Sequence, residues 1–190
     1  MTTLAPTICT RTFPRAAGWL RDVSLIIFGA LFVAALAQLK MLLPFTPVPL
    51  TGQTFAVLLV GATFGSKRGA ASMALYIALG ALGLPVFAGG ASGVAYLSGA
   101  TLGYLVGFVM AAYVIGLLAE RGLERSVRTS IIPFLAGTMI IYVCGVAWLT
   151  VLLESFDKAL AVGLLPFLLG DAIKLIAASL ALPASWKFVK

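Results

Sequence analysis

The stretch VSLIIFGALFVAALAQLKMLL, residues 23 to 43, places a single ionisable side chain, Lys40, among 21 positions. A run this long and this apolar has few ways to fold. In a bilayer about 20 such residues cross the hydrocarbon core as one helix, with every backbone hydrogen bond made internally. Five further apolar runs follow, at about 54–64, 70–82, 102–119, 131–153 and 162–182. They are continuous, not alternating, which excludes a transmembrane β-barrel. Charged residues make up 10% of the chain, against about a quarter in a soluble domain. The expected fold is an all-α integral membrane protein with six transmembrane helices. A tail over 1–22 precedes a membrane domain over 23–184, and a short tail over 185–190 ends the chain.

Charge placement orients the six spans. One side holds Arg11, Arg15, Arg21, Lys67, Arg68, Arg121, Arg125, Arg128, Lys187 and Lys190, and the other holds Lys158 alone. By the positive-inside bias both termini are cytoplasmic. The first 22 residues lack the apolar core of a signal peptide and read as a cytoplasmic tail. The net charge of +7 is spread over a tail and short loops, so no nucleic-acid surface is implied. The chain has no histidine, and its two cysteines, Cys9 and Cys144, lie far apart. Neither a metal site nor a disulfide framework is indicated. Histidine-based catalytic groupings are impossible and no phosphate-binding glycine loop of the P-loop type occurs. The chain reads as a non-enzyme without a bound cofactor, and uphill transport would draw on an ion gradient or on a partner.

Two loops depart from plain connection. PFTPVPLTGQ, from residue 44, carries Pro44, Pro47 and Pro49, and the run after it is short: eleven residues rise only about 16 Å. The stretch after the third run contains Gly83, Gly89, Gly90, Gly93 and Gly99. Both loops fall on the outer side. Non-helical backbone near membrane depth persists where protein or a water-filled cavity satisfies it, and interrupted spans of this kind point to a substrate site. Gln53 either caps the second helix or bonds a ligand. Phe87, Tyr96 and Tyr104 flank the glycine loop; at this height aromatics commonly form an interfacial belt, and some can line a pocket. Gln38 and Lys40 end the first span, Lys40 snorkelling to the headgroups. Glu154, Asp157 and Lys158 read as a solvated turn.

The segment LLGDAIKLI, 168 to 176, holds the residues that most need a purpose. Asp171 and Lys174 are three apart, so they share a helix face near the expected middle of span six. An isolated charge at such depth costs at least about 2.5 kcal/mol. The pair either locks span six to its neighbours or recognises a ligand, and Gly170 permits close approach. In span one, Ala30 and Ala34 have the small-xxx-small spacing that lets helices meet closely, internally or against another membrane subunit.

Five motifs in order, PVPLTGQT (47–54), KRGA (67–70), GLPVFAGG (83–90), GYLVGF (103–108) and GDAIK (170–174), resemble the BioY family, the biotin-binding S components of energy-coupling-factor (ECF) transporters. The resemblance implies a six-helix S-component fold in the bacterial inner membrane, capturing biotin from outside with the first loop as a lid. It implies partners as well: a membrane-embedded coupling subunit and ATPases that use ATP. Ligand recognition would fall to Asp171 and Lys174, with Gln53, Phe87, Gly89, Gly90 and Tyr96 around them, and docking on the coupling subunit to Ala30 and Ala34. GAT (99–101) stands where GPT is usual, and GGASG (89–93) where the family has a more uniform glycine run. In this setting Asp171 would accept from the ureido N–H of biotin and Lys174 donate to its carbonyl; in the reverse orientation Lys174 would pair with the biotin carboxylate. The alternative reading is a stand-alone ion-coupled vitamin carrier with Asp171 as its protonatable group.

Overall fold

The computed structural model describes residues 3–12 and 17–187; Arg15 and Lys190 of the charge count lie outside the described residues. The main elements are α1 (Leu4–Thr12), α2 (Gly18–Ala37), β1 (Lys40–Met41), β2 (Leu50–Thr51), α3 (Gln53–Phe64), α4 (Ser66–Ala81), α5 (Val94–Leu97), α6 (Leu102–Glu120), α7 (Val127–Leu153), α8 (Phe156–Gly163) and α9 (Leu168–Lys187). Helices α2, α6, α7 and the continuous stretch Phe156–Lys187 are long and apolar enough to cross a membrane. Helices α3 and α4, with 12 and 16 residues, are shorter.

The centre of the bundle is α6, packed against α3, α4 and α7. Small residues make this possible. A side chain at Gly103 would meet the Cys144 carbonyl, one at Gly107 would press on Ile141, and one at Gly116 would run into the backbone of Gly65 and Ser66. Helix backbones approach this closely in lipid only where side chains are absent.

Polar contacts mark one end of the bundle. The Glu120 carboxylate, at the end of α6, accepts from both the Ser66 backbone N–H and its hydroxyl at 2.8 Å, supplying the cap that α4 lacks locally. Arg68 of α4 donates to Asp22 of α2 at 2.7 Å. The Arg125 guanidinium lies 4.7 Å over the Trp186 ring near the end of α9. The start of α2, the α3–α4 and α6–α7 turns and the end of α9 therefore share one end, and the proline and glycine loops lie at the other.

Several sequence expectations are corrected. Span one was expected to reach residue 43, but α2 stops at Ala37. Pro44 denies the carbonyl of Lys40 a helical partner and disfavours helix at Leu43, and Lys40 instead pairs with Thr51 in an antiparallel hairpin. The chain is thus not purely helical. The exposed side chain of Lys40 lies along Gly89 of the glycine loop. Span six is broken. Pro166 sits in a 3-10 turn, Leu165–Phe167, that separates α8 from α9. Of the residues read as a solvated turn, all exposed, Glu154 ends α7 while Asp157 and Lys158 lie in the first turn of α8, which is capped by the Ser155 hydroxyl accepting from the Lys158 N–H. Ala30 and Ala34 are 1% and 9% exposed. They fill the chain's own core, so the free face of α2 is made by Val23, Ile27, Phe28, Leu31 and Ala35.

Glu124, in the 3-10 turn Leu123–Arg125, departs from its sequence setting most. It sits in the most charged loop of the chain yet is 0% exposed, and neither carboxylate oxygen meets a hydrogen-bond donor among the described residues. Burial pushes its carboxyl above the usual range, against the weaker pull of Arg125, whose Nε is 3.7 Å away.

Two outcomes follow for stability. Gly116→Ala should lower the melting midpoint by on the order of 5 °C in a detergent thermal melt, since backbone cannot yield cheaply, whereas Gly18→Ala, with nothing within 4 Å, should leave it unchanged. The folded chain holds the Glu124 proton more tightly than the unfolded chain, so stability falls as pH rises from the ordinary carboxylate pKa towards the raised one. Glu124→Gln should therefore raise the midpoint at neutral pH by a few degrees, with the gain vanishing below the ordinary carboxylate pKa; no gain at neutral pH would contradict this.

Candidate functional site

At the loop end of the bundle a cavity lies between β2, α3, α5, α6, α7 and the start of α9. It holds about 510 Å³ of space unfilled by atoms, mouth included, of which about 50 Å³ admits the centre of a water molecule. Its walls are largely apolar, with Leu105, Phe108, Ile141 and Phe167 among them. Such a chamber suits a small, partly apolar ligand fixed by a few polar groups.

Those polar groups converge on α9. Because Pro166 breaks the helix, α9 begins at Leu168 and Asp171 falls in its first turn, about midway along the apolar stretch Phe156–Lys187. The N-terminal end of a helix favours a carboxylate, which lowers the cost of burying one here. Asp171 is 6% exposed, and each of its oxygens has a partner. Oδ1 accepts from Lys174 Nζ at 2.7 Å and from the Thr54 hydroxyl at 3.0 Å. Oδ2 accepts from the Tyr142 hydroxyl at 2.7 Å.

Lys174 is equally engaged. Besides Asp171 it donates to the Thr51 carbonyl at 2.8 Å and to Thr54 Oγ1 at 2.9 Å. The pair thus ties α9 to β2, α3 and α7. A paired, hydrogen-bonded couple of this kind is tolerated in an apolar interior, whereas either member alone would leave an uncompensated charge. Chemically, it presents an anionic acceptor and a cationic donor about one hydrogen bond apart, facing a common space.

Gln53, the first residue of α3, lines the same cavity and is held on both sides: its Nε2 donates to the Tyr76 hydroxyl at 2.5 Å, and its Oε1 accepts from the Thr51 hydroxyl at 2.9 Å. Tyr96, on the short helix α5, also lines it. Phe87 does not. Its ring is fully buried behind Tyr96, stacked at 4.7 Å, with Tyr76 edge-on at 5.6 Å. It occupies the space that the missing side chain of Gly80 leaves. Phe87 therefore steadies Tyr96 without facing the cavity. Gly89 and Gly90 are exposed and do not line it either; their φ values of +70° and +77° form the turn that closes the loop.

Four polar lining residues were not singled out from the sequence, Thr51, Thr54, Thr101 and Tyr142, while Tyr104, one of the aromatics flanking the glycine loop, lines the cavity as well. Tyr142 carried a usable signal, a hydroxyl in the middle of an apolar run. Tyr104 is fixed by donating to the Gly163 carbonyl at 2.6 Å, and its ring fills the room made by Gly145.

The loops are fastened across this chamber. The Thr46 hydroxyl of the proline loop donates to the Val162 carbonyl of α8 at 2.6 Å. The glycine loop is held by Gly89 N–H to the Ala37 carbonyl at 3.3 Å and by Trp148 Nε1 to the Gly99 carbonyl at 2.9 Å.

Comparison with known proteins agrees with this architecture. The model of the BioY family matches residues 6–190. A biotin transporter BioY of Thermotoga maritima is 44% identical over 138 residues, covering 73% of this chain and 80% of the relative. One from Rhizobium etli is 36% identical over 167 residues, covering 82% and 89%. A crystal structure of the S-component for biotin from an ECF-type ABC transporter superposes with a TM-score of 0.80 at 26% identity, covering 88% of this chain and 92% of that one. With a family model spanning nearly the whole sequence and relatives of this identity and coverage, the chain belongs to the BioY family.

Proposed function

We propose that this chain is the biotin-capturing S component of an ECF-type importer and that Asp171 and Lys174 hold the ligand. The observation that carries the reading is the compensated acid–base pair facing the cavity, in a chain of a family whose named members transport biotin. Biotin carries a ureido group with two N–H donors and one carbonyl acceptor, an apolar bicycle and a flexible carboxylate arm. Asp171 matches the donors and Lys174 the acceptor, and the apolar walls match the bicycle. Desolvated charge-assisted bonds of this kind are the strong ones. The carboxylate arm then points towards the loop mouth.

Bound biotin replaces bonds the pair already makes within the chain. Room for it comes from displacement of the proline loop, which is held by the Lys174–Thr51 and Thr46–Val162 bonds. In this reading the loop is the lid. The end carrying the tails and the cationic turns faces the cytoplasm, six helices traverse the inner membrane, and a coupling subunit with ATPases supplies the energy. The internal burial of Ala30 and Ala34 moves any coupling-subunit contact on α2 to its outward residues, such as Leu31 and Ala35.

Titration calorimetry with biotin on the detergent-purified chain tests the assignment. Asp171→Asn and Lys174→Ala should each weaken binding by at least roughly tenfold, about 1.4 kcal/mol, and wild-type affinity in both would sink it. A thermal melt of each variant separates lost binding from lost folding. Tyr142→Phe removes one donor from the Asp171 carboxylate and should weaken binding about tenfold. Thr46→Val removes a bond that biotin entry has to break, so it should speed association severalfold in a stopped-flow experiment with little change in the release rate; an unchanged association rate would remove the lid role from this bond.

A further inference from the structure

At the opposite end of the bundle, where α1 meets the last turns of α9, lie two further cavities of contrasting chemistry. The first, with about 1060 Å³ of space unfilled by atoms, mouth included, is lined by Thr7, Arg11, Arg125, Ser126, Trp186 and Lys187. Three cations line it among the described residues, one of them, Arg125, also lying 3.7 Å from the buried Glu124 carboxylate. Arg125 is held in place by its stacking on Trp186 at 4.7 Å. The indole Nε1 of Trp186 is buried and meets no acceptor among the described residues. Ser126 and Val127 bring the N-terminal end of the 27-residue α7 to the same wall, and the Ser126 side chain does not cap it. Clustered cations beside a helix N-terminus together favour an anion here.

The second cavity, with about 700 Å³ of unfilled space on the same measure, is a groove with hydrocarbon walls, among them Leu4, Ile8, Phe28, Phe32, Phe64 and Ala181. Phe28 and Phe32 stack at 6.3 Å along it. The two cavities occupy neighbouring faces of the same two helices. On α1, Leu4 and Ile8 face the groove while Thr7 and Arg11 face the basic chamber; on α9, Ala181 and Ser185 face the groove while Trp186 and Lys187 face the chamber.

An anion site beside a hydrocarbon groove has the chemistry of one kind of molecule. We propose that this junction binds an anionic phospholipid, its phosphate among Arg11, Arg125 and Lys187 and one acyl chain in the groove. The proposal rests on the embedding of the bundle in a membrane with this end towards the inner leaflet, where anionic lipids attract clustered cations between helices. The lipid would brace α1, a nine-residue helix with a single buried residue, against the end of α9. A free phosphate fits the chamber equally well but makes no use of the groove.

The test compares three probes on the purified full-length chain, by thermal melt and by native mass spectrometry. These are phosphatidylglycerol, phosphatidylcholine with the same acyl chains, and inorganic phosphate. Phosphatidylglycerol should raise the melting midpoint by several degrees at a concentration where the other two do nothing. Lys187→Gln, at an exposed position, should weaken its binding severalfold, and Arg125→Gln about tenfold. Ala181→Phe, which fills the groove from an exposed position, should weaken it without adding or removing charge. Equal stabilisation by phosphatidylcholine overturns the proposal, and so does protection by inorganic phosphate matching that of the lipid. Unaltered phosphatidylglycerol binding in Lys187→Gln and Ala181→Phe overturns it as well. Biotin affinity, measured on the same samples, should stay at the wild-type value throughout. Its loss in wild type would strike the proposed function, whereas its retention with no lipid selectivity would strike only this inference.

Discussion

An ion pair in hydrocarbon persists only if each charge is matched, and this chain builds its loop end around that requirement. Asp171 stands at the positive end of α9 and receives three hydrogen bonds, from Lys174, Thr54 and Tyr142. Lys174 returns three, to Asp171, Thr54 and the Thr51 carbonyl. Strand β2 and helices α3, α7 and α9 are thereby fixed in one arrangement. Removing either charge leaves the other buried without its counterion, which in protein interiors costs about 3–5 kcal/mol. The same arrangement presents a donor and an acceptor to the cavity, so the requirement for stability and the capacity for recognition reside in the same atoms.

The rest of the bundle holds those atoms still. Glycines along α6 bring α7 and α4 close, which places Tyr104 and Tyr142 on the cavity wall. The Tyr104 hydroxyl anchors the end of α8, immediately before the break at Pro166 that starts α9 where Asp171 needs a helix N-terminus. Phe87, stacked on Tyr96 with Tyr76 edge-on, carries the glycine loop onto α4. At the far end Glu120 and Arg68 fasten the turns, and Glu124 sits buried 3.7 Å from the Arg125 Nε, without a hydrogen bond among the described residues.

Much of this was legible in the sequence, because hydrocarbon periodicity and charge scarcity reflect the solvent directly. The apolar runs located the main helices, and two opposite charges in the last run singled out Asp171 and Lys174. What the sequence could not display is register in space. Pro166 marked a possible break, but only the packing of Tyr104 on Gly163 shows why the chain turns there. Tyr142 is 29 residues from Asp171, and no local pattern announces such a contact. Ala30 and Ala34 had the spacing of a helix interface, and spacing alone does not say whether the partner helix is internal. Glu124 stands in a charged loop, a setting that ordinarily keeps a carboxylate in water, and no local pattern announces its burial.

The central claim is that the pair holds the ureido end of biotin and leaves the carboxylate free. Calorimetric affinities for biotin and for biotin amide, whose carboxylate is replaced by a neutral group, measured on wild type and on Lys174→Ala, form a double cycle that tests it most directly. The account predicts that Lys174→Ala weakens both ligands by the same factor, with no coupling between the substitution and the blocked carboxylate. A loss confined to biotin, with the amide binding both proteins equally, would place the carboxylate against Lys174 and contradict it.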